Sequence, residues 1–346
     1  MFSTTTSQCS SSFTNGGFQG FFSKLKGSSN ALKFFQDGTR WTNLCYLPPP
    51  SLRIICSNSQ VTELTIVGKT SSSAGQTLSD KFSIDALFTV RTKLSNLKAL
   101  YLGLWGPLPP KIGRFRSLQA LNMTSNFVYR EVPKQIAWLK NLTSLVLADN
   151  LFNGSVPDLT GLTLLQELNL VGNRLGPQLP SLSQSLVSIT LCNNSFRSEI
   201  PSGLKRFNQL QKLDISSNRI VGPIPSFLFS LASIQYLTLA QNQLSGALPW
   251  TISSSKRLTF VDISNKLLIG KLPSCIGSNS KNKTFFSSWN CLSAGKLNRQ
   301  HPYSVCNKQA LAVKPVKRKE QHPGINFGLI LVSLEALLSW QELLFC

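Results

Sequence analysis

The chain has 346 residues, of which 42% are apolar and 14% charged, and its formal net charge is +21. This length exceeds the usual size of one compact domain, so it favours two domains or an elongated array. The Lys and Arg residues are scattered singly over residues 61–276, whereas a nucleic-acid footprint is clustered on one face, so the charge does not indicate nucleic acid.

The N-terminal segment, residues 1–30, is rich in Ser and Thr and reads as low-complexity, disordered sequence. It lacks the basic residues followed by 7–15 apolar residues that define a secretory signal peptide. Eight cysteines and five N-x-S/T sequons nevertheless favour an oxidising, secretory environment. The candidate glycosylation sites are Asn122, Asn141, Asn153, Asn193 and Asn282.

Eight segments then share the pattern L-x-x-L-x-L-x-x-N-x-L-x-G-x-x-P, after a shorter strand-like segment at 61–68. A Pro follows each start by fifteen residues, and the spacings between starts are 24, 24, 23, 21, 24, 24 and 24 residues. A fixed period of this size predicts a solenoid. The segments start at Leu94, Leu118, Leu142, Leu165, Leu186, Leu210, Ile234 and Leu258.

The spacing of the Leu residues predicts a short strand with one buried face in every segment. One coil cannot bury its Leu row alone, so stacked coils are expected to form a continuous core and a parallel sheet. The Asn at the ninth position lies where the chain turns inward, and its amide can satisfy backbone groups that the turn leaves unpaired. Leu102 and Lys266 replace it in the first and last coils. The ladder consists of Asn126, Asn150, Asn173, Asn194, Asn218 and Asn242.

This pattern resembles the plant-specific leucine-rich repeat, which is found in plant receptor-like kinases and related secreted proteins; the resemblance covers residues 94–276. "GLWGPLPPKIG" at 103–113 and "NRQHPYSVCNKQALAVKP" at 298–315 are similar to the leucine-rich repeat receptor-like proteins whose kinase domain is described as inactive. The resemblance implies an α/β-type solenoid over residues 61–276. It would be a superhelix of about eight coils of 24 residues, with its parallel sheet on the concave side and disulfide-bearing caps.

The N-terminal cap is assigned to residues 31–60, which resemble the paired-cysteine cap of the family. The resemblance implies a disulfide between Cys45 and Cys56. A zinc site would need two more ligands at close spacing, and the sequence offers none.

The C-terminal cap is assigned to residues 277–310. The pairing among Cys275, which lies just before it, and Cys291 and Cys306 within it cannot be deduced from sequence. Cys192 lies on a predicted strand inside the array and is interpreted as a lone thiol.

Catalysis has little support in the sequence. The two His residues, His301 and His322, are each followed by Pro and belong to no recognisable catalytic signature. The motifs G-x-G-x-x-G, H-R-D and D-F-G do not occur, and "VGKT" at 67–70 lacks the first Gly of a phosphate-binding loop because Glu63 stands there. We therefore expect no catalytic residue, no metal site and no cofactor.

Protein binding is the better hypothesis, because the outward positions of the strands form a broad concave face in solenoids. Aromatic residues beside Asp and Asn on that face are typical anchors for a ligand. A glycan on Asn122 would lie on the same face. The candidate ligand-binding residues are Asn169, Thr190, Lys212, Asp214, Tyr236, Thr238, Phe260 and Asp262.

The chain ends with a basic linker at 311–323 and a transmembrane-like segment at 324–346. A membrane helix needs about 20 mostly apolar residues, and Glu335 and Glu342 interrupt this one. The positive residues also precede it, whereas they should follow it if the repeats were outside the cell. The segment is interpreted as a partial anchor.

Two functions remain. The first is a non-enzymatic recognition ectodomain of a receptor-like kinase-family protein, truncated before the kinase. It would reside at the plasma membrane or cell surface, with a peptide or protein ligand or a co-receptor as partner. The second is a soluble leucine-rich repeat interaction protein, such as an enzyme inhibitor or a decoy. Neither predicts a nucleic-acid partner, and membrane association stays open.

Overall fold

The computed structural model describes residues 52–57, 60–66, 96–102, 105–248, 254–272, 283–292, 300–302 and 305–306. It confirms the predicted parallel-sheet solenoid of about eight turns. Several predictions lie outside the described residues. They concern the segments 1–30, 311–323 and 324–346 and the glycosylation candidate Asn282. The predicted Cys45–Cys56 disulfide also lies outside, because Cys45 and the side chain of Cys56 are not among the described parts of the chain.

The described strands are short, as the spacing of the Leu residues predicts. In chain order they are β1 Leu52–Ser57, β2 Gln60–Ile66, β3 Ala99–Leu102, β4 Trp105–Pro107, β5 Ala120–Asn122, β6 Phe127–Arg130, β7 Ser144–Val146, β8 Leu151–Gly154, β9 Glu167–Asn169, β10 Arg174–Leu175, β11 Ser188–Thr190, β12 Lys212–Asp214, β13 Val221–Gly222, β14 Tyr236–Thr238, β15 Gln243–Ala247, β16 Phe260–Asp262, β17 Leu267–Gly270, β18 Thr284–Phe286 and β19 Cys291–Leu292.

The main sheet takes one strand from each coil. Within the described ranges it has eleven strands in the order β1-β2-β3-β5-β7-β9-β11-β12-β14-β16-β18. β1 is antiparallel to β2 and closes the N-terminal end, and each later strand is parallel to the one before it. The expected strand at 61–68 is β2.

Two smaller sheets of the described region, β4-β6-β8-β10 and β13-β15-β17-β19, follow the turn after the main sheet. The chain then reaches the convex side, where Pro109, Pro133 and Pro201 lead in extended conformation into short helices. A Pro with its fixed φ suits this position, since it has no backbone N–H to satisfy. The helices are the 3-10 turns Pro110–Arg114, Lys134–Trp138 and Ser202–Arg206 and the α-helix Phe227–Ser230.

The core is one continuous column of Leu and Ile side chains between the main sheet and the convex segments. Leu121, Leu145 and Leu168 are the middle residues of successive strands, and each is at most 1% exposed. Burying such a side chain contributes about 1.5–3 kcal/mol. Because each residue contacts those of the coils above and below, this stabilisation depends on stacking.

The six ladder residues lie at the inward turn. The amide bonds backbone groups of its own coil and of the coil before it in Asn150, Asn173, Asn194, Asn218 and Asn242, and the Asn126 Nδ2 donates to Met123 O (2.8 Å) and Thr124 O (2.9 Å) of its own coil. Asn218 is typical: its Nδ2 donates to the carbonyl oxygens of Leu191 (3.0 Å) and Ser216 (2.9 Å), and its Oδ1 accepts from the N–H of Phe196 (3.1 Å). The residue before the ladder position has positive φ, as at Ser217 (51°). The ladder therefore joins neighbouring coils inside the core.

The first coil is shifted by three residues from the predicted register. Leu100 of β3 pairs with Leu121 of β5, so this coil starts at the buried Leu97 and not at Leu94. Leu102 consequently does not occupy a ladder position. The cause is a coil three residues shorter than the 24-residue period, which displaces the pattern relative to its Pro.

The array also continues into residues 277–310, which the sequence assigned to the cap. β18 pairs in parallel with β16, and Asn290 follows Lys266 by 24 residues. Asn290 makes the ladder contacts, donating to Ile263 O at 2.7 Å and accepting from Leu268 N at 3.2 Å. A polar residue at the start of this coil, where the pattern has Leu, hides it in the sequence.

The cysteines correct one prediction and resolve part of another. Cys291 and Cys306 form a disulfide, which ties the last described coil to the chain that follows it. Cys192 is buried and disulfide-bonded, so its interpretation as a lone thiol is wrong; its partner is outside the described side chains. A long-range bond of this kind leaves no local signal in the sequence.

Candidate ligand-binding face

The three-residue strands of the main sheet direct their first and third side chains outward, while the middle side chain enters the core. In-register pairing arranges these outward residues in two columns across the coils. The first column is Ala120, Ser144, Glu167, Ser188, Lys212, Tyr236, Phe260 and Thr284, and the second is Asn122, Val146, Asn169, Thr190, Asp214, Thr238, Asp262 and Phe286.

The second column is less exposed than the sequence predicts. Thr190 and Asp214 are 8% exposed and Thr238 is 5% exposed, whereas Asn169 and Asp262 are half-buried. Each of the three buried side chains lies between in-register residues of the two adjacent strands, about 4.8 Å away on either side. The side chains of these three residues are therefore largely covered within the face.

A row of large side chains crosses the C-terminal half of the face. The rings of Tyr236 and Phe260 stack, with centroids 4.3 Å apart and an interplanar angle of 8°. Phe286 continues the row at 5.7 Å from Phe260, and Lys212 Nζ lies 5.5 Å from the Tyr236 ring centroid at the other end. We call Lys212, Tyr236, Phe260 and Phe286 the aromatic row.

The aromatic row follows from the repeat. Lys212, Tyr236 and Phe260 occupy equivalent positions of parallel strands, one strand spacing apart, which is close to the distance at which rings stack. Phe286 reaches the row from the second column. Phe286 is 47% exposed and is not among the residues predicted from the sequence. It follows Asp262 by 24 residues, so the period would have located it once the coil at residues 283–292 was recognised.

Two carboxylates lie beside the row in the second column. Burial raises the pKa of the Asp214 carboxyl above its ordinary value, although hydrogen bonds from the Ser216 hydroxyl (2.7 Å) and N–H (3.0 Å) oppose the shift. Burial also raises the pKa of Tyr236, and the negative charges of Asp214 and Asp262 raise it further by a smaller amount. The row thus combines apolar surface with a cation at one end and anionic groups alongside.

A buried lysine lies just behind this surface. Lys266 takes the ladder position between Asn242 and Asn290, where it is 3% exposed and its Nζ donates to Ser264 O at 3.1 Å. Burial lowers its pKa to about 7, with Asp262 opposing the shift. An ammonium group has donors but no acceptor, so it cannot reproduce the ladder amide.

The N-terminal half of the face carries small or polar side chains instead. Ser144 donates a 2.7 Å hydrogen bond to Glu167 Oε2. Asn122 is half-buried, and its Oδ1 accepts from the N–H and the hydroxyl of Thr124. No described pair of rings stacks on this half.

The remaining described glycosylation candidates lie away from the two columns. Asn141 and Asn153 are exposed and Asn193 is half-buried. The Asn141 Nδ2 donates to Arg116 O at 2.9 Å. Attachment of a glycan to any of these sites stays a prediction.

The described residues contain neither a cluster of metal ligands nor a helix that could span a membrane. Among the described residues, no cluster of three or more His, Cys, Asp or Glu side chains could hold a metal ion. None of the described helices combines the length and the apolar character needed to cross a bilayer.

Residues 184–244 match the family model described as leucine rich repeat. This range covers the coils from β11 to β14, which thus match leucine-rich repeats. Over 181 residues the chain is 53% identical to a probable LRR receptor-like serine/threonine-protein kinase of Arabidopsis thaliana, a match that covers 51% of this chain and 24% of that protein. The chain thus spans about a quarter of the length of the curated relatives it matches.

Solved leucine-rich repeat structures resemble the chain as well. The crystal structure of a TDR receptor is 28% identical with a TM-score of 0.56, and the match covers 59% of this chain and 36% of that one. The LRR ectodomain of the plant membrane receptor kinase GASSHO1/SCHENGEN3 from Arabidopsis thaliana, in complex with CASPARIAN STRIP INTEGRITY FACTOR 2, is 28% identical with a TM-score of 0.55. That match covers 62% of this chain and 26% of the other. The likeness is to receptor ectodomains rather than to catalytic domains.

Proposed function

We propose that this chain is a non-enzymatic recognition ectodomain of a plant leucine-rich repeat receptor-like kinase-family protein, which binds a peptide or protein partner at the cell surface. The observation that carries the proposal is the aromatic row on the C-terminal half of the concave face. The resemblance to receptor ectodomains, one of them in complex with CASPARIAN STRIP INTEGRITY FACTOR 2, supports it.

The dimensions of the aromatic row suit an extended peptide. Its four side chains come from four adjacent strands, so the row is about 14 Å long, the length of about four extended residues. Tyr236 and Phe260 are half-buried and Phe286 is 47% exposed, which leaves ring surface for an apolar side chain of the partner. Large aromatic side chains are the commonest anchors of protein interfaces.

The polar neighbours would orient such a peptide. Lys212 offers a cation at one end of the row, and Asp262 offers a half-buried carboxylate beside Phe260. A peptide with an apolar side chain on the row and polar backbone groups toward these charges would satisfy both. Charges at the rim of an interface contribute more to orientation and specificity than to affinity.

We also propose which residues contact the partner and where in the cell the chain is located. Asn169, Lys212, Tyr236, Phe260 and Asp262 are proposed to contact the partner, with Phe286 added to them. Thr190, Asp214 and Thr238 are proposed to position these residues from below. We infer a plasma membrane or cell-surface location from the relatives, together with the cap disulfide and the glycans predicted above.

The proposal can be tested by selection from a random linear peptide library against the purified full chain. We expect the selected peptides to share an aromatic or large aliphatic residue, and to bind Phe260→Ala at least about tenfold more weakly. Phe127→Ala is the matched control, since Phe127 is 62% exposed on a side sheet and lies outside both columns. Its affinity should equal that of the unmodified chain.

Selected peptides that bind Phe260→Ala as tightly as the unmodified chain would contradict the proposed site. Failure to select any peptide that binds through the concave face would contradict the proposed function itself.

A further inference from the structure

A cavity opens on the convex side where one coil is short. The coil that starts at Leu165 is followed by Leu186 after 21 residues, three fewer than the usual period. Its convex segment, residues 178–187, contains no helix, whereas the next coil has the 3-10 turn Ser202–Arg206 at that place. The missing residues leave a gap of about 290 Å³ between the two convex segments.

The cavity reaches from the surface to the core. Its deep end is formed by Ile189 and Leu213, the middle residues of β11 and β12, and its walls include Leu204 and Phe207. Arg206 is the only charged residue among the described lining residues, and it lies exposed at the mouth. The site is therefore apolar inside with a cation at its entrance.

The volume and lining decide what would fit. An apolar cavity of about 150 Å³ stays dry and binds benzene, so this cavity has room for an apolar group of roughly twice that size. A guanidinium at the mouth matches the geometry of a carboxylate, which accepts two parallel hydrogen bonds from it. Arg206 is exposed, and none of the other described lining residues is a carboxylate.

We propose that this cavity binds a small amphipathic carboxylate, with an apolar body of about ten carbon atoms inside and its carboxylate against Arg206. The site lies between the convex segments, on the other side of the coil from the aromatic row. It is independent of the peptide-binding face, and either proposal can fail without the other.

Gly203 provides a way to fill the cavity without distorting the fold. It lines the cavity on the 3-10 turn, and a Cβ built on it meets no atom within 4 Å. A Phe side chain at this position would enter the mouth and exclude a ligand. Lys205 lies exposed on the same turn but outside the lining, so Lys205→Gln is a matched control for Arg206→Gln.

The test is titration calorimetry of the full chain with decanoate and with decanol, both below their aggregation limits. We expect saturable one-to-one binding of decanoate, and a loss of at least about tenfold in affinity for Gly203→Phe. Arg206→Gln should lower the affinity for decanoate by about threefold to fivefold, as expected for the loss of an exposed charge pair. The affinity for decanol should stay unchanged. Lys205→Gln should bind both probes as the unmodified chain does.

Three results would overturn the proposal. Absence of saturable decanoate binding would show that the cavity does not bind an amphipathic carboxylate of this size. Unaltered binding to Gly203→Phe, with its thermal unfolding unchanged, would place the probe elsewhere. If Arg206→Gln lowered the affinities for decanoate and decanol equally, the role assigned to the guanidinium would be contradicted.

Discussion

The two halves of the concave face share one scaffold and differ in the side chains that it presents. From β5 to β11 the first column holds only small or acidic residues, whereas from β12 to β16 it holds a cation and two stacked rings. The strand pairing is the same in both halves, and Asn150 and Asn242 make equivalent ladder bonds, although Lys266 interrupts the ladder in the C-terminal half. Inward residues therefore set the fold and outward residues set the surface that the concave face presents, so the two can vary separately.

The largest expected effect concerns the shared scaffold. Asn150→Ala in one half and Asn242→Ala in the other should each lower the free energy of unfolding by about 3 kcal/mol. Each substitution removes the donor to backbone carbonyls of two coils and the acceptor for a buried N–H. Urea denaturation measures both.

Asn153→Ala is the control for this pair, since Asn153 is exposed in the same coil as Asn150. It should change stability by less than about 0.5 kcal/mol. A large difference between the two ladder substitutions would argue against a common scaffold.

The next effect belongs to the C-terminal half alone. The pKa of Lys266 is about 7 in the folded chain and near 10.5 when unfolded. Between these pH values the unfolded chain binds more protons, so the free energy of unfolding rises with pH. Lys266→Asn should remove that rise and stabilise the chain at pH 7 by about 1–2 kcal/mol, because an amide restores the ladder contacts.

Chemical denaturation of both proteins from pH 6 to pH 10 measures this effect. Lys256→Asn is the control, since Lys256 is exposed. Equal pH dependence of the Lys266→Asn variant and the unmodified chain would show that Lys266 does not titrate as its burial implies.

A smaller effect compares neighbours within the first column. A double-mutant cycle on Tyr236 and Phe260, each replaced by Ala, should give a coupling of about 1 kcal/mol to stability, since offset ring pairs contribute about that much beyond their burial. Thermal unfolding of the four proteins supplies the cycle. A coupling near zero would mean that the rings do not stack in solution.

The smallest effect is the matched cycle in the N-terminal half. Ser144 and Glu167 occupy the same column on adjacent strands and share one exposed hydrogen bond of 2.7 Å. Their coupling should be about 0.3 kcal/mol, because water replaces such a bond at little cost. If the Ser144–Glu167 coupling equalled the Tyr236–Phe260 coupling, the two halves of the concave face would not differ in how strongly their outward side chains interact.

Features that belong to the repeat could be predicted from the sequence because the same residue types recur at the same positions in each coil. The strands, the turns at Pro133 and Pro201 and the position of Asn218 at the inward bend follow from the 24-residue period. Features at irregular coils could not. The three missing residues moved the first coil to Leu97, and a polar start concealed the coil that contains Phe286.

Burial and long-range contacts also escaped prediction. Thr238 is buried because of the side chains on neighbouring strands, which no single coil specifies. The disulfide of Cys192 and the cavity beside Phe207 depend on how distant or unequal coils meet. The candidate site could be assigned to one face of the sheet from the sequence, but recognising its aromatic row required the registered strands.

The most direct test of the central claim is hydroxyl-radical footprinting of the full chain with and without a library-selected peptide. The method reads solvent access to individual aromatic side chains. Oxidation of Phe260 and Phe286 should fall at least about threefold when the peptide is bound, as expected for anchors at the centre of an interface. Phe127 and Trp138, which are exposed elsewhere, should be oxidised equally in both samples. Protection of Phe127 or Trp138 with unchanged oxidation of Phe260 and Phe286 would contradict recognition at the C-terminal half of the concave face.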